Sequence, residues 1–195
     1  MLAANIIWHT PGYKERGETK MYIELKTERL ILRPYSLADF DDVHEYAGDK
    51  DDIKYMLFLP NETEEDTREF LRDVESEWAK DEPDYYEFGL ILDGKLIGGV
   101  GLYMEDNRTK AELGWTLNKR FRGKGYVTEA AKAIMKYAID EFHVTEIFAH
   151  CDTRNIPSAR VMERLGMELE SEGDRHYDRT GEDAREYKYS MHICI

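Results

Sequence analysis

One change of hydrophobic period constrains the fold of this chain more than any other feature. The apolar alternation of Ala111–Leu117 ends in a glycine-containing turn, and a helical repeat begins directly after Gly125. Apolar side chains then occupy one helix face: Val127, Ala130, Ala131, Ile134, Ala138 and Phe142. Charged side chains occupy the other face: Glu129, Lys132, Lys136 and Asp140. The sequence therefore predicts a strand, a glycine turn and a long amphipathic helix.

Turn and capping signals predict the elements before this switch. Strands are predicted within 23–35 and over 86–92 and 95–104, and Asp93-Gly94 is a strong hairpin signal between the last two. Two capping boxes predict helices, the first formed by Ser36 with Asp39 and the second by Thr63 with Asp66. The apolar segment 54–60 lies between these helices, and the sequence leaves open whether it lines a pocket or packs under them.

Similar signals predict the elements after the long helix. A strand over Glu146–Cys151 precedes a short helix with Asn155 as its cap, Pro157 in its first turn and Gly166 past its end. Two strands are predicted over about 167–177 and 184–193. The resulting order, β-α-α-β-β-β-α-β-α-β-β, predicts an α/β (α+β) fold with a mixed sheet and helices on both faces.

The length of 195 residues fits one domain. Residues 1–20 lack a sustained period, so we expect an N-terminal extension followed by a domain over residues 21–195. The alternative is an ordered extra strand containing Ile6, Ile7 and Trp8. The chain contains no apolar run long enough to cross a bilayer and no signal-peptide pattern, so we expect a cytoplasmic protein with no membrane partner.

The formal net charge of −14 disfavours a nucleic-acid partner and suits a cationic, amine-bearing substrate. Cys151 lies in an apolar strand, where a free cysteine is usually a small core residue. Its neighbours His150 and Asp152 point to the opposite face from Cys151, so we expect no metal site.

Four cations crowd the turn before the long helix: Lys119, Arg120, Arg122 and Lys124. Gly123 and Gly125 interrupt them, and glycines allow backbone N–H groups to converge on an anion at a helix N-terminus. The physical chemistry favours a pyrophosphate site. At this point two alternatives remain open, a plain turn with a solvated basic edge and a basic patch for nucleic acid.

Four segments resemble the GNAT acetyltransferase superfamily. Arg120–Gly125 matches its Arg/Gln-x-x-Gly-x-Gly/Ala phosphate signature. Asn155–Met167 resembles the corresponding segment of the branch typified by the RimJ and RimL ribosomal-protein acetyltransferases, and Thr27–Arg33 and Ala111–Trp115 are typical of that branch. The matches occur in the family's order.

The resemblance implies a mainly antiparallel sheet in which the fourth and fifth predicted strands, 111–117 and 146–151, splay apart around pantetheine. It implies acetyl-CoA as co-substrate, with the backbone amides of 122–127 holding the pyrophosphate. The strand amides of 115–117 would pair with pantetheine and polarise the thioester carbonyl. The implied cofactor-binding residues are Trp115, Thr116, Leu117, Arg120, Arg122, Gly123, Lys124, Gly125, Tyr126, Val127, Asn155 and Ser158. Asn155 is explained equally well as a helix cap alone.

Two residues are candidates for catalysis. Many GNAT enzymes place a tyrosine where this chain has Met162, and in the resembled branch the candidate proton donor is the serine that corresponds to Ser158. Its alternative is an ordinary first-turn serine. The acceptor amine must lose a proton before it attacks, and Glu112 is the first candidate base, with a structural hydrogen-bonding role as its alternative.

The sequence thus predicts transfer of an acetyl group from acetyl-CoA to a primary amine by direct attack in a ternary complex. The acceptor is a protein N-terminal α-amino group or a small-molecule amine. A non-catalytic acyl-CoA-binding regulatory module is the alternative. The sequence leaves open whether the chain is a monomer or a homodimer.

Overall fold

A computed structural model describes residues 5–9, 22–56, 61–178 and 180–194, with the backbone alone for residues 5–9 and 22. The strands are β1 (Asn5–His9), β2 (Tyr22–Lys26), β3 (Ile31–Pro34), β4 (Tyr85–Leu92), β5 (Lys95–Glu105), β6 (Lys110–Leu117), β7 (Glu146–Asp152), β8 (Glu168–Tyr177) and β9 (Glu182–His192). They form one sheet in the order β1-β2-β3-β4-β5-β6-β7-β9-β8. All neighbours are antiparallel except β6 and β7. The predicted mixed, mainly antiparallel sheet is confirmed.

In the part of the chain that the structure describes, four α-helices accompany the sheet: α1 (Phe40–Ala47), α2 (Glu64–Trp78), α3 (Tyr126–Phe142) and α4 (Ile156–Leu165). The capping box predicted at Thr63 starts α2. Thr63 N donates to Asp66 Oδ2 at 2.7 Å, and Asp66 N donates back to Thr63 Oγ1 at 3.2 Å. Ser36 instead opens a short 3₁₀ turn over Leu37–Asp39, which runs directly into α1.

The Asp93-Gly94 hairpin is confirmed. Both residues have left-handed backbone conformations, with φ of +50° and +82°. Two consecutive positive φ values match the right-handed twist of paired strands, which is why this dipeptide favours a tight connection.

The helices lie on both faces of the sheet, as predicted. Alternation along β4 and β5 sends Leu90 and Ile97 into the core beneath α3 and α4, while Ile91 and Leu96 enter the core beneath α1 and α2. We call these the α3 face and the α1 face.

The strands β6 and β7 part soon after they meet. Their parallel ladder contains three residue pairs, Lys110 with Glu146, Ala111 with Ile147 and Glu112 with Phe148. Beyond these pairs β6 continues to Leu117 against β5 alone, and β7 continues to Asp152 against β9. The predicted splay is confirmed, and it opens a gap in the middle of the sheet.

The N-terminal strand β1 pairs antiparallel with β2, with Trp8 opposite Ile23. This pairing agrees with the alternative of an extra strand. The boundary at residue 20 stays a prediction, since residues 10–20 lie outside the described part of the chain. Residues 57–60 of the apolar segment 54–60 also lie outside it. Within the described ranges, no helix is long and apolar enough to cross a membrane.

Among the described glycines, Gly99 has the least room for a side chain, and this generates a stability prediction. A Cβ added there would lie 1.8 Å from the hydroxyl oxygen of the buried Tyr35, whose hydroxyl is also 3.2 Å from that of Tyr46. We expect Gly99→Ala to lower the free energy of unfolding by about 1–3 kcal/mol, because a packed core resists overfilling. Chemical denaturation measures the change.

Gly173→Ala in β8 is the matched control, since its Cβ would meet only Glu186 Cγ at 3.9 Å. It should be nearly neutral. Equal destabilisation by the two substitutions would contradict the packing argument.

Candidate active site

A cleft of about 640 Å³ lies beside the parted strands on the α3 face. The end of β6, the N-terminus of α3, the first turns of α4 and the segment 51–56 form its walls. Its lining includes most of the residues implied to bind the cofactor: Trp115, Thr116, Leu117, Arg122, Gly123, Gly125, Tyr126, Val127, Asn155 and Ser158. Arg120 and Lys124 do not line it. The fold therefore brings ten of these predicted positions together and leaves two outside.

The turn before α3 is shaped by Gly123 and Gly125, with φ of +79° and +82°. A Cβ at Gly123 would meet no atom within 4 Å, so the glycine is required by its backbone conformation and not by crowding. The first amides of α3 have no intrahelical partners, and the helix dipole adds partial positive charge there. The turn can accept a phosphate.

A clamp from the β2–β3 connection fixes this turn. Arg29 donates from Nη1 to the Lys124 carbonyl at 2.9 Å and from Nε to Glu129 Oε2 at 2.6 Å. Thr27 Oγ1 donates to Glu129 Oε1 at 2.6 Å. Burial opposes ionisation of Glu129, but the Thr27 and Arg29 hydrogen bonds outweigh it and lower the pKa of this carboxyl. The structure thus gives a physical role to the Thr27–Arg33 motif, which the sequence could only match by resemblance.

Three of the four cations of the turn are paired with acidic residues. Three ion pairs connect the turn to α1 and the loop after it: Arg120 Nη1 with Glu45 Oε1 at 2.7 Å, Lys119 Nζ with Asp49 Oδ2, and Arg122 Nη2 with Asp52 Oδ1 at 2.9 Å. Lys124 Nζ lies 5.8 Å from the centroid of the Phe121 ring. Burial raises the pKa of Asp52, an effect that the Lys119 amide and the Arg122 charge oppose. Of the four cations, Arg122 alone lines the cleft.

At the other wall, Asn155 caps α4 and holds Ser158. The Ser158 amide donates to the Asn155 carbonyl at 3.0 Å and to Oδ1 at 3.4 Å. Ser158 is buried and borders the cleft, while Met162 is fully buried in the core. The cap of Asn155 is therefore real, and its side chain also reaches the cleft wall.

Glu112 lies on the α1 face, in the last residue pair before β6 and β7 part. Its Oε1 is 2.9 Å from His150 Nδ1. This hydrogen bond raises the pKa of His150 against the opposing effect of burial. Sequence reasoning considered His150 only as a metal ligand. The register of β6 against β7 was the missing signal, because it places both side chains on one face.

Two other sequence expectations concern β7. Cys151 is buried in the core, and burial raises the pKa of its thiol to about 11, so it packs as a small apolar residue. Across the described ranges, no three His, Cys, Asp or Glu side chains are grouped to hold a metal ion.

The chain is similar to known acetyltransferases in both sequence and structure. A family profile described as the acetyltransferase (GNAT) domain matches residues 29–168. The uncharacterized N-acetyltransferase YnaD of Bacillus subtilis (strain 168) is 32% identical over 174 residues, which cover 87% of this chain and 96% of YnaD. The spermidine N(1)-acetyltransferase of Escherichia coli (strain K12) is 25% identical over 84% of each chain. A crystal structure of a GNAT-family acetyltransferase from Bacillus anthracis superposes with a TM-score of 0.75 at 34% identity, covering 87% of this chain and 98% of that one.

The contact between Glu112 and His150 generates a prediction that needs no substrate. Glu112 raises the pKa of His150, so Glu112→Gln should move that pKa downwards. A pH titration of the histidine ring signals by NMR measures the shift, with His150→Gln identifying the resonance.

Glu105→Gln removes an exposed charge from β5 and serves as the control for overall charge. It should leave the His150 titration in place. An unchanged His150 titration in Glu112→Gln would show that the hydrogen bond is not formed in solution.

Proposed function

Since the chain belongs to the GNAT acetyltransferase family and is an acetyl-CoA-dependent acyltransferase, we propose that it acetylates a primary amine by direct attack in a ternary complex. The acceptor is a small-molecule amine or a protein N-terminal α-amino group. The observation that carries the proposal is the parting of β6 and β7 beside the N-terminus of α3, with a carboxylate at the point of separation. Three of the sequence motifs, Thr27–Arg33, Ala111–Trp115 and Asn155–Met167, further support a place in the RimJ/RimL-type branch.

The cleft on the α3 face fits an acyl-CoA. The first amides of α3 and the turn at Gly123 and Gly125 would hold the pyrophosphate, with Arg122 beside them. On the side away from β5, Trp115 to Leu117 have no strand partner among the described residues. Backbone groups on that edge are open to an extended amide chain, except the Leu117 carbonyl, which accepts from Arg122 Nε at 3.2 Å. The bound acetyl thioester supplies the electrophilic carbonyl.

Deprotonation of the amine is assigned to the α1 face. A primary ammonium has a pKa of about 8 to 10.4, so at neutral pH a base must remove a proton before attack. Glu112 is the proposed base, and His150 positions its carboxylate through the 2.9 Å contact. The location of Glu112 at the point of separation supports this role, because an acceptor entering the gap passes beside it.

Ser158 is the proposed donor to the departing thiolate. Its amide is fixed by Asn155, and the residue borders the cleft opposite the α3 turn. The usual tyrosine position is occupied by the buried Met162. Tyr177 is engaged elsewhere, since its hydroxyl donates to Asp152 Oδ2 at 2.8 Å. A serine hydroxyl is a weak acid, so it would donate a hydrogen bond or relay a proton.

Cofactor binding should stabilise the fold. A ligand at about 100 times its Kd adds about 2.7 kcal/mol to the free energy of unfolding, and for a chain of this size each kcal/mol raises Tm by roughly 2–4 °C. We expect acetyl-CoA to produce such a shift and Gly123→Val to abolish it, because valine resists a φ of +79°. Thermal unfolding with and without acetyl-CoA makes the comparison.

Gly181→Val is a matched control. Gly181 also has a positive φ of +66° with no atom within 4 Å of its added Cβ, and it does not line the cleft. This variant should lose stability but keep the acetyl-CoA shift. A full shift in Gly123→Val would mean that the phosphate turn is assigned wrongly.

Catalysis and binding are separable at Ser158. If the hydroxyl assists the thiolate, Ser158→Ala should lower kcat about 10²-fold or more. Loss of one neutral hydrogen bond to bound cofactor costs about 0.5–1.5 kcal/mol, or roughly two- to twelvefold in Kd. Rate and Kd are measured on the same variant, with Ser76→Ala on the exposed side of α2 as the control.

Unchanged turnover at saturating substrate would reduce Ser158 to a packing residue of α4. Binding of acetyl-CoA with no turnover by the unaltered protein would instead favour a non-catalytic acyl-CoA-binding regulatory module.

A further inference from the structure

A carboxylate outside the proposed chemistry lies in line with the gap between β6 and β7. On the α1 face, Glu87 of β4 stands opposite Gly101 of β5, and Gly101 stands opposite Gly114 of β6. Two strand spacings separate Glu87 from Gly114, or roughly 10 Å. Gly114 is beyond the last pair of the β6–β7 ladder. A row of two glycines therefore connects the opening in the sheet to Glu87.

The side chain of Tyr103 packs over these two glycines. A Cβ at Gly101 would lie 2.6 Å from Tyr103 Oη and 2.7 Å from Glu87 Oε1, and one at Gly114 would lie 3.4 Å from Tyr103 Cε2. The ring thus lies across both glycines, and its hydroxyl donates to Glu87 Oε1. Tyr103 remains 36% exposed, so its ring is accessible from this face.

Glu87 has no cationic partner among the described side chains. The titratable groups that face it are tyrosines: Tyr35 and Tyr46 from the α1 side, and Tyr85 and Tyr103 beside it on the sheet. Glu112 acts on Tyr103 from the next strand. Burial raises the pKa of Glu87 to about 7, although the Tyr103 hydrogen bond opposes this rise. Glu112, by contrast, is matched by His150.

A half-buried carboxylate beside an accessible aromatic ring is chemically suited to an ammonium ion. The cation supplies the opposite charge that this carboxylate lacks, and the ring face attracts it further. A neutral or anionic ligand group would gain neither interaction. The side chains that the structure describes supply no cation here, so a ligand ammonium can take this position.

We propose that Glu87 and Tyr103 bind a second positive charge of the acceptor while its primary amine reaches the opening between β6 and β7. This inference rests on the proposed function and narrows it to dicationic acceptors. Glu87 acts here as a specificity-determining residue, since the reacting nitrogen is handled at Glu112.

The test compares straight-chain diaminoalkanes with monoamines of equal length, by following CoA release at saturating acetyl-CoA. For the unaltered protein, the best diamine should have a KM lower than its monoamine by roughly ten- to hundredfold, the range expected for a charge-assisted contact. Glu87→Gln, which is nearly isosteric, should abolish this preference by raising the KM of the diamine. Glu105→Gln, exposed on the neighbouring strand β5, removes the same charge and should keep the preference.

The pH dependence distinguishes recognition from a merely structural role. Only ionised Glu87 binds the cation, so the KM of the diamine should rise below pH 7 by up to roughly tenfold per pH unit. Tyr103→Phe removes the donor that stabilises the carboxylate, so the rise should begin at a higher pH. A retained acetyl-CoA thermal shift verifies that each variant is folded.

An unaltered protein that does not prefer diamines, or a Glu87→Gln variant that still prefers them, would overturn the inference and leave amine acetylation intact. If the unaltered protein releases no CoA with any amine, the proposed function itself fails and this inference fails with it.

Discussion

The separation of β6 from β7 is the constraint on which the rest of the molecule depends. Two parallel strands that stop pairing after Glu112 and Phe148 leave facing rows of backbone N–H and C=O groups without ladder partners. Such groups are tolerated only where a ligand or water satisfies them. The connection through α3 keeps the gap open, because the helix packs beneath β5 and β6 while its N-terminus sits at the mouth of the gap. The unpaired strand edges and the positive end of the α3 dipole therefore lie next to each other.

Beside the gap, the groups on the α3 face favour an anion and those on the α1 face favour a cation. On the α3 face, a helix N-terminus and Arg122 border the cleft. On the α1 face, the carboxylates Glu112 of β6 and Glu87 of β4 lie near the gap. An anionic cofactor and a cationic acceptor would thus meet at the gap from opposite sides, each on the face that suits its charge. No side chain needs to serve both.

Local signals in the sequence were sufficient for most of the fold. Some features depend only on neighbours within a few residues, so they can be predicted from the sequence alone. They are the cap at Thr63, the Asp93-Gly94 turn and the change of period at Gly125. The separation of β6 from β7 was predicted only through the resemblance to the GNAT superfamily. The ion pairs of Lys119, Arg120 and Arg122 join segments about seventy residues apart, and the contact between Glu112 and His150 depends on strand register. Glu87 was missed for the same reason, since only the folded sheet aligns it with Gly101 and Gly114.

The pairing of the turn's cations has a kinetic consequence. Glu45, Asp49 and Asp52 largely cancel the positive charge of Arg120, Lys119 and Arg122, so the turn projects little field into solution from a chain of net charge −14. Long-range electrostatic steering of a polyanion towards it is correspondingly weak. What attracts phosphate is the fixed array of amides at the start of α3, and oriented dipoles lose their influence within a few ångströms. Capture of an anion here therefore depends on short-range contacts, made by these amides together with Arg160 and Arg164 of α4, which also line the cleft.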